Sequence, residues 1–223
     1  MHRGMSASPP VCRRCGACCR AGGPALHAGD LPLVRRGVLD LTNLVTLRRG
    51  EIVTDNVAGG VGPSPQEIVK IRPVSGGRAC RFAIAGAPAA CAIHRDRPAE
   101  CRALFCEAPE ALVALYREGR LTRRDILGAA GPAAELCAYH EAETDLTRLA
   151  GLCRLALSGD ADAREAVARA LRLDAALREL TPARAGIPAA ALPFLFGRPL
   201  EEALPACRAV LTPAALYKGL PSA

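Results

Sequence analysis

Apolar and polar positions change rhythm about halfway along the chain. Before residue 106 the apolar runs are short and interrupted. Asp30 is placed to cap a short helix with Pro32 in its first turn, ending near Gly37. Leu41 to Leu47 has mixed spacing and reads as a helix or a strand. Glu51 to Thr54 and Glu67 to Ile71 predict short strands, with VAGGVGPSPQ between them as loop. Gly76 and Gly77 mark a turn, residues 80–84 and 91–94 a small hairpin across AGAPAA, and Pro98 to Phe105 a short helix. After Cys106 the helical period takes over. Residues 108–118, 121–129, 133–158 and 161–179 predict helices, broken at Gly119, Gly131–Pro132 and Gly159, with Asp160 as a cap. The stretch PARAGIPAAALPFLFGRP reads as a loop packed on the body. Leu200 to Val210, kinked or shortened by Pro205, and Pro213 to Tyr217 close the chain as short helices.

This pattern predicts an α+β fold: a small cysteine-rich metal-binding domain of short strands and helices, followed by an all-α C-terminal region. The expected boundaries are a flexible tail at 1–11, the cysteine-cluster domain at 12–108, and a helical region at 109–223 packed on it. With 223 residues and 50% apolar composition there is material for a core. The chain has no Trp and only 3% aromatics, so that core must be mostly aliphatic. The longest uncharged apolar stretch, Ala185 to Gly197, is shorter than the roughly 20 residues of a membrane-spanning helix. The start, MHRGMSASPPV, shows no apolar signal region, and a cytoplasmic location is expected.

The eleven cysteines change the picture. Cys12, Cys15, Cys18 and Cys19 stand together as C-R-R-C-G-A-C-C. Cys80, Cys91, Cys101 and Cys106 form a second group spaced C-x₁₀-C-x₉-C-x₄-C. Cys137, Cys153 and Cys207 are scattered. In a reducing compartment clustered cysteines are metal ligands before they are disulfides. The two-residue spacers of Cys12, Cys15 and Cys18 let the chain curl around one centre, with Gly16 relieving the bend. Two successive spacers of this kind are similar to the three-cysteine part of a ferredoxin loop and favour an iron–sulfur cluster over zinc. Adjacent side chains point apart, so Cys18 and Cys19 are expected to serve two sites, or two atoms of one cluster. Each group then needs the other to complete its shell, and one shared metal region is expected. Closing the sixty-residue loop between Cys19 and Cys80 adds a few kcal/mol at most, against roughly 10–16 kcal/mol for a structural zinc site.

Charge adjusts this reading only slightly. The net charge is +7, carried by 27 Arg and two Lys and concentrated before Glu110. A basic half suggests nucleic acid, but seven aromatics offer little for base stacking. Metal-bound thiolates are themselves negative, so the basic excess can balance the metal sites. Among the remaining residues, His94 reads as packing or as supporting a ligand, and His27 has no ligand spacing. Arg97 and Arg102 read equally as donors to the thiolates, or partners of Asp96 and Glu100, and as a solvated helix face. Cys137, His140 and Glu141 share a helix face, read as polar surface, while Cys153 and Cys207 read as core thiols. Rossmann, phosphate-loop, nucleophile-elbow and radical-SAM motifs are absent from the sequence.

The cysteine pattern resembles the YkgJ family of bacterial cysteine-cluster proteins, also described as a zinc- or iron-chelating domain. The shared features are C-x-x-C-G-A-C-C, then C-R-F, then C-A-I-H-R-D-R-P-A-E-C-R-A-L-F-C, over about residues 12–106. All eight clustered cysteines match, with Phe82, Ile93, Arg97, Pro98 and Arg102. The sequence departs at His94, where the family has Tyr, and at Leu104, where it has an aromatic. The resemblance implies a metal or iron–sulfur centre held by Cys12, Cys15, Cys18, Cys19, Cys80, Cys91, Cys101 and Cys106. It implies no single activity. The function classes open at this point are a metalloprotein with a redox or transferase role and a zinc-stabilised, non-enzymatic interaction module. A methyltransferase-like enzyme is a third, since flagellin lysine N-methylase carries a similar motif. A protein or small-molecule partner is expected, and neither nucleic acid nor membrane.

Overall fold

The computed structural model describes residues 12–211. The first half holds six short strands: β1 Leu44–Leu47, β2 Ile52–Thr54, β3 Val61–Pro63, β4 Ile68–Ile71, β5 Ala83–Ile84 and β6 Ala90–Cys91. They pair as three antiparallel couples, β1 with β4, β2 with β3, and β5 with β6. The ambiguous segment before Leu47 resolves into a 3₁₀ turn at Leu41–Asn43 and then β1. In β4, Val69 and Ile71 are buried while Ile68 and Lys70 are half-buried on the other face, the two-residue alternation of a strand with one core side. Val61–Pro63 was expected to be loop. The sequence Val-Gly-Pro gives no apolar alternation, and only pairing across Ile52↔Pro63 to Thr54↔Val61 makes it a strand.

Residues 23–28 add an irregular edge to β4. Ile71 N donates to Pro24 O at 2.9 Å, and Leu26 N to Val69 O at 2.9 Å. The backbones approach so closely that a Cβ on Gly23 would stand 2.2 Å from Ile71 O. On the far side, Leu121 N donates to Leu26 O at 3.0 Å and Ala28 N to Gly119 O at 2.6 Å.

Eleven helices occur among the described residues. They are α1 Ala17–Ala21, α2 Leu31–Arg35, α3 Ala99–Ala103, α4 Glu110–Leu115, α5 Arg123–Leu127, α6 Pro132–Glu143, α7 Leu146–Leu157, α8 Ala161–Ala185, α9 Leu192–Phe196, α10 Leu200–Ala203 and α11 Pro205–Leu211. The fold is mixed α+β, with strands confined to the first half. Asp160 caps α8 as expected, accepting from Ala163 N at 2.8 Å. Pro205 separates α10 from α11. The expected tail 1–11 and the helix at Pro213 to Tyr217 lie outside the described residues.

Three expectations need correction. The single helix over 133–158 is two. Thr144 Oγ1 turns back to His140 O, and Asp145 opens α7 by accepting from Arg148 N at 2.6 Å. Asp30 precedes α2 but does not cap it. Its buried carboxylate accepts from His27 N at 3.0 Å and from Ala99 N at 2.8 Å. The stretch PARAGIPAAALPFLFGRP is packed on the body as expected, but it is not loop throughout, since α8 runs on to Ala185 and α9 follows at Leu192–Phe196. Pro193 occupies the first turn of α9, where its missing N–H is no loss, and Phe194, Leu195 and Phe196 are fully buried.

Helix α9 therefore fills the core of the strand-bearing half, packed with Leu26, Leu33, Leu39, Leu44, Val69 and Ile71. Full burial of each such side chain contributes roughly 1.5–3 kcal/mol. A second core joins α7, α8, α10 and α11 through Leu146, Leu149, Val167 and Leu200. Cys153 and Cys207 are both fully buried in it, their sulfurs 3.2 Å apart.

Buried charges link the two cores. His140 Nε2 meets Asp174 Oδ1 at 2.7 Å, and Arg178 Nε donates to Asp174 Oδ2 at 3.0 Å. Burial pushes the His140 imidazole below its usual range, outweighing the Asp174 bond. Burial alone would raise Asp174, but its bonds from His140 and Arg178 hold it at about 2. Both shifts give the same sign. Below the ordinary imidazole value of about 6.5 the unfolded chain takes up a proton that folded His140 refuses. The Asp174 contribution is complete above its unfolded value of about 3.9 and disappears as pH falls toward 2. Urea midpoints should therefore fall on acidification from about pH 7 to 5, with a slope from this histidine of at most about 1.4 kcal/mol per pH unit. A His140→Gln variant with an unchanged slope over that range would contradict this assignment.

Candidate metal centre

Local backbone geometry sets up the first cysteine group. Arg14 and Gly16 both take positive φ, 54° and 74°, so the chain reverses tightly between Cys12 and α1. A Cβ on Gly16 would stand 2.9 Å from Ala89 Cβ, so a larger residue would be strained and crowded there. Arg14 O accepts from Ala89 N at 2.9 Å, which seats this loop against the start of β6 and hence beside Cys91. Arg20 N donates to Gly16 O at 2.9 Å, and its guanidinium to Cys15 O at 3.0 Å. That places a positive charge over the loop.

The second group is brought to the same place. Cys80 N donates to Cys19 O at 2.7 Å, a direct backbone link across the sixty intervening residues. Ala83 N turns back to Cys80 O at 2.9 Å, and the β5–β6 register sets Cys91 opposite Ala83. Cys101 lies in the middle of α3, whose position is set by buried carboxylate contacts. Asp30 holds Ala99 N, and Glu100 Oε2 accepts from Ala25 N at 2.8 Å. Cys106 follows α3, and Arg13 pairs with Glu107, so the residues next to Cys12 and Cys106 meet.

Cys18 and Cys19, both in α1, have their sulfurs 3.9 Å apart. Neighbouring side chains were expected to diverge. Within the first turn of α1 their rotamers converge instead, and the separation is close to the edge of a tetrahedron with metal–sulfur bonds of about 2.3 Å, roughly 3.8 Å. Cys101 lies within electrostatic reach of Cys80, Cys18, Cys19 and Cys91, and Cys19 within reach of Cys18, Cys80 and Cys91. Burial, followed by repulsion from neighbouring thiolates, pushes the Cys19 thiol up to about 12. Burial likewise raises Cys80, and raises Cys101 further, with the same neighbours adding to the effect on Cys101. For Cys19, Cys80 and Cys101 these effects favour the protonated thiol in the metal-free chain. A bound cation inverts that balance, because it stabilises the thiolates that repel one another without it.

The donor set suits a soft or borderline metal in kind. Among the described residues no three Cys, His, Asp or Glu side chains converge at coordination distance. Metal uptake would have to draw the sulfurs inward by side-chain rotation in an already assembled region. Cys12, Cys15, Cys18 and Cys106 are exposed, so this part of the site is open to such movement.

The supporting residues sort differently from expectation. His94 is exposed and meets Arg97 Nη1 at 3.1 Å rather than a sulfur. Asp96 pairs with Arg36, not with Arg97 or Arg102, at 2.7 Å. Glu100 pairs with buried His27 at 3.2 Å and with Arg120 at 3.4 Å. The Cys137–His140–Glu141 face is packed into the molecule rather than polar surface, with Cys137 and His140 buried and Glu141 half-buried. Cys137 Sγ donates to Leu195 O at 3.3 Å, and Glu141 is held by Arg48 and Arg123. Sequence reasoning missed Arg20 and Ala89 as supports of the first loop. The two-residue spacers mark the loop, but nothing in them shows what it packs against.

No match was found among curated proteins or among solved structures. A family model does match residues 11–117, spanning both cysteine groups and running on through α4. The family is described by its cysteine pattern and not by the name YkgJ. No helix among the described residues is long and apolar enough to cross a membrane. With its two cysteine groups folded into one region, the segment 11–117 matches the model of the CxxCxxCC family, described as a putative zinc- or iron-chelating domain.

Proposed function

We propose that the protein holds a polynuclear cysteine-thiolate centre, an iron–sulfur cluster in the first instance, ligated by Cys12, Cys15, Cys18, Cys19, Cys80, Cys91, Cys101 and Cys106. The observation that carries this reading is a count of sulfurs. The backbone bond from Cys80 N to Cys19 O joins two groups of four cysteines, twice the number of sulfurs that a single tetrahedral metal takes. A cluster in this position would store an electron, and the guanidinium of Arg20 would offset part of its negative charge.

A second reading is a zinc-stabilised interaction module without catalysis. The 3.9 Å separation of Cys18 and Cys19 favours it, because two neighbouring sulfurs can then share one zinc ion. Anaerobic purification with iron, zinc and acid-labile sulfide analysis separates the two. The cluster reading expects iron and sulfide in comparable amounts and visible absorbance. Colourless protein with zinc and no sulfide supports the module instead. Protein with no tightly held metal under either regime would sink both.

A further inference from the structure

We propose that a cleft behind the β1–β4 pair is a binding site for a small organic carboxylate with an apolar body, anchored on Lys70. The cleft has a volume of about 650 Å³ and lies between β4, the β2–β3 hairpin and the turn after α4. That volume is in the range of metabolite sites. Its floor is the outward face of β4. Val69 and Ile71 point into the core, so Ile68 and Lys70 face the cleft.

Each other charged side chain of the lining has a partner. Arg120 pairs with Glu100 at 3.4 Å and donates to Tyr116 O. Arg117 pairs with Asp55 at 3.8 Å. Among the charged side chains of the lining, the Lys70 ammonium alone has no hydrogen bond or ion pair. Its charge is half-buried and desolvated, with Glu100 attracting it only from beyond contact range.

An unpaired cation in such surroundings is unfavourable unless something supplies a counter-charge. The lining pairs its two carboxylates with two arginines and leaves one positive charge over, which matches one carboxylate. A multiply charged phosphate would leave negative charge uncompensated. Val53 and Val61 on the hairpin and Ile68 on β4 give the body of such a ligand an apolar surface. The residue type supports the same reading. The sequence uses Arg at 27 basic positions and Lys only at 70 and 218. A compact ammonium on a flexible stem contacts a single carboxylate without the wide fork of a guanidinium. The proposal does not depend on the nature of the metal centre.

Because only two lysines exist, amine-directed chemistry reads Lys70 directly, with Lys218 as the internal reference. The full-length protein, with its metal as purified, would be labelled with trace acetic anhydride near neutral pH. Increasing phenylbutyrate, phenylbutanol or inorganic phosphate would be present. Phenylbutyrate should protect Lys70 but not Lys218, saturably, and at about tenfold lower concentration than the alcohol, the difference expected of one charge-assisted contact. No protection overturns the site. Equal protection by the alcohol reduces it to an apolar crevice, and equal protection by phosphate to a general anion patch, so either result overturns the carboxylate assignment. Saturation-transfer NMR of phenylbutyrate provides a second measurement. The signal should disappear in Lys70→Met while bound metal stays at the wild-type level, and a retained signal overturns the role of Lys70.

Discussion

Replacing Cys101 by Ser is expected to strip metal from the protein and lower its thermal stability in one step. Cys101 sits on α3 with Cys80, Cys18, Cys19 and Cys91 around it, so its sulfur is central to the gathered set. A metal site that does not exist in the unfolded chain adds its binding free energy to folding. Loss of a direct ligand should weaken binding by more than the roughly 10–100-fold attributed to outer-shell partners. Cys15→Ser should act in the same direction from the other group, through the loop seated on Ala89. Cys153→Ser serves as the control, because that thiol lies in the second core facing Cys207. Metal-to-protein ratios after gel filtration, with melting curves on the same samples, provide the readout. Wild-type metal content in both Cys15→Ser and Cys101→Ser would remove these sulfurs from the ligand set.

Arg123→Met should be the most damaging substitution away from the cysteines. The Arg123 guanidinium donates to Glu67 at 2.9 and 2.6 Å, to Glu141 at 2.7 Å and to Leu195 O at 2.6 Å. It thus joins the segment leading into β4 to α6 and to the buried α9. Burial alone would lower its basicity, but Glu67 and Glu141 raise it above the usual guanidinium range. Removing one member of a buried pair leaves the others uncompensated, typically at about 3–5 kcal/mol. Glu67 and Glu141 keep some contact with solvent, which places the expected loss near the lower end, about 3 kcal/mol. For a chain of this size that is a melting-point drop of about 6–12 °C. Urea unfolding of Arg123→Met, Glu141→Leu and the double variant would measure the coupling. Additive losses would mean that Arg123 and Glu141 act separately.

Much of the site was legible because cysteine chemistry is local in sequence. Two-residue spacers force the chain to curl, and the two groups are recognisable before any fold is known. Their meeting was also predictable, since neither group looks self-sufficient. The structure supplies the link through Cys80 N and Cys19 O. The relation of Cys18 to Cys19 was not legible. Side-chain direction depends on rotamer and on the αL residue that starts the helix, and neither follows from adjacency. The cleft was hidden for a different reason. Lys70 reads as an ordinary polar position in a strand until the partners of Arg117 and Arg120 are known, and only then does it stand out as the one cation of the cleft lining without a partner.

The sequence by itself determined the α+β class, the division into a cysteine-bearing half and a helical half, and the eight cysteines set apart from the other three. These follow from period, punctuation and spacing, which act over a few residues. The tertiary structure decided what lies between distant segments. Pro188, Pro193 and Gly197 make the stretch around α9 look like loop, yet Phe194–Phe196 occupy the centre of the first core. Cys137, His140 and Glu141 look like surface until Arg48, Arg123, Asp174 and Leu195 close over them from four other parts of the chain. Burial is a property of what packs against a residue. In this protein the packing partners lie from 18 to 93 residues away, beyond the reach of any local pattern.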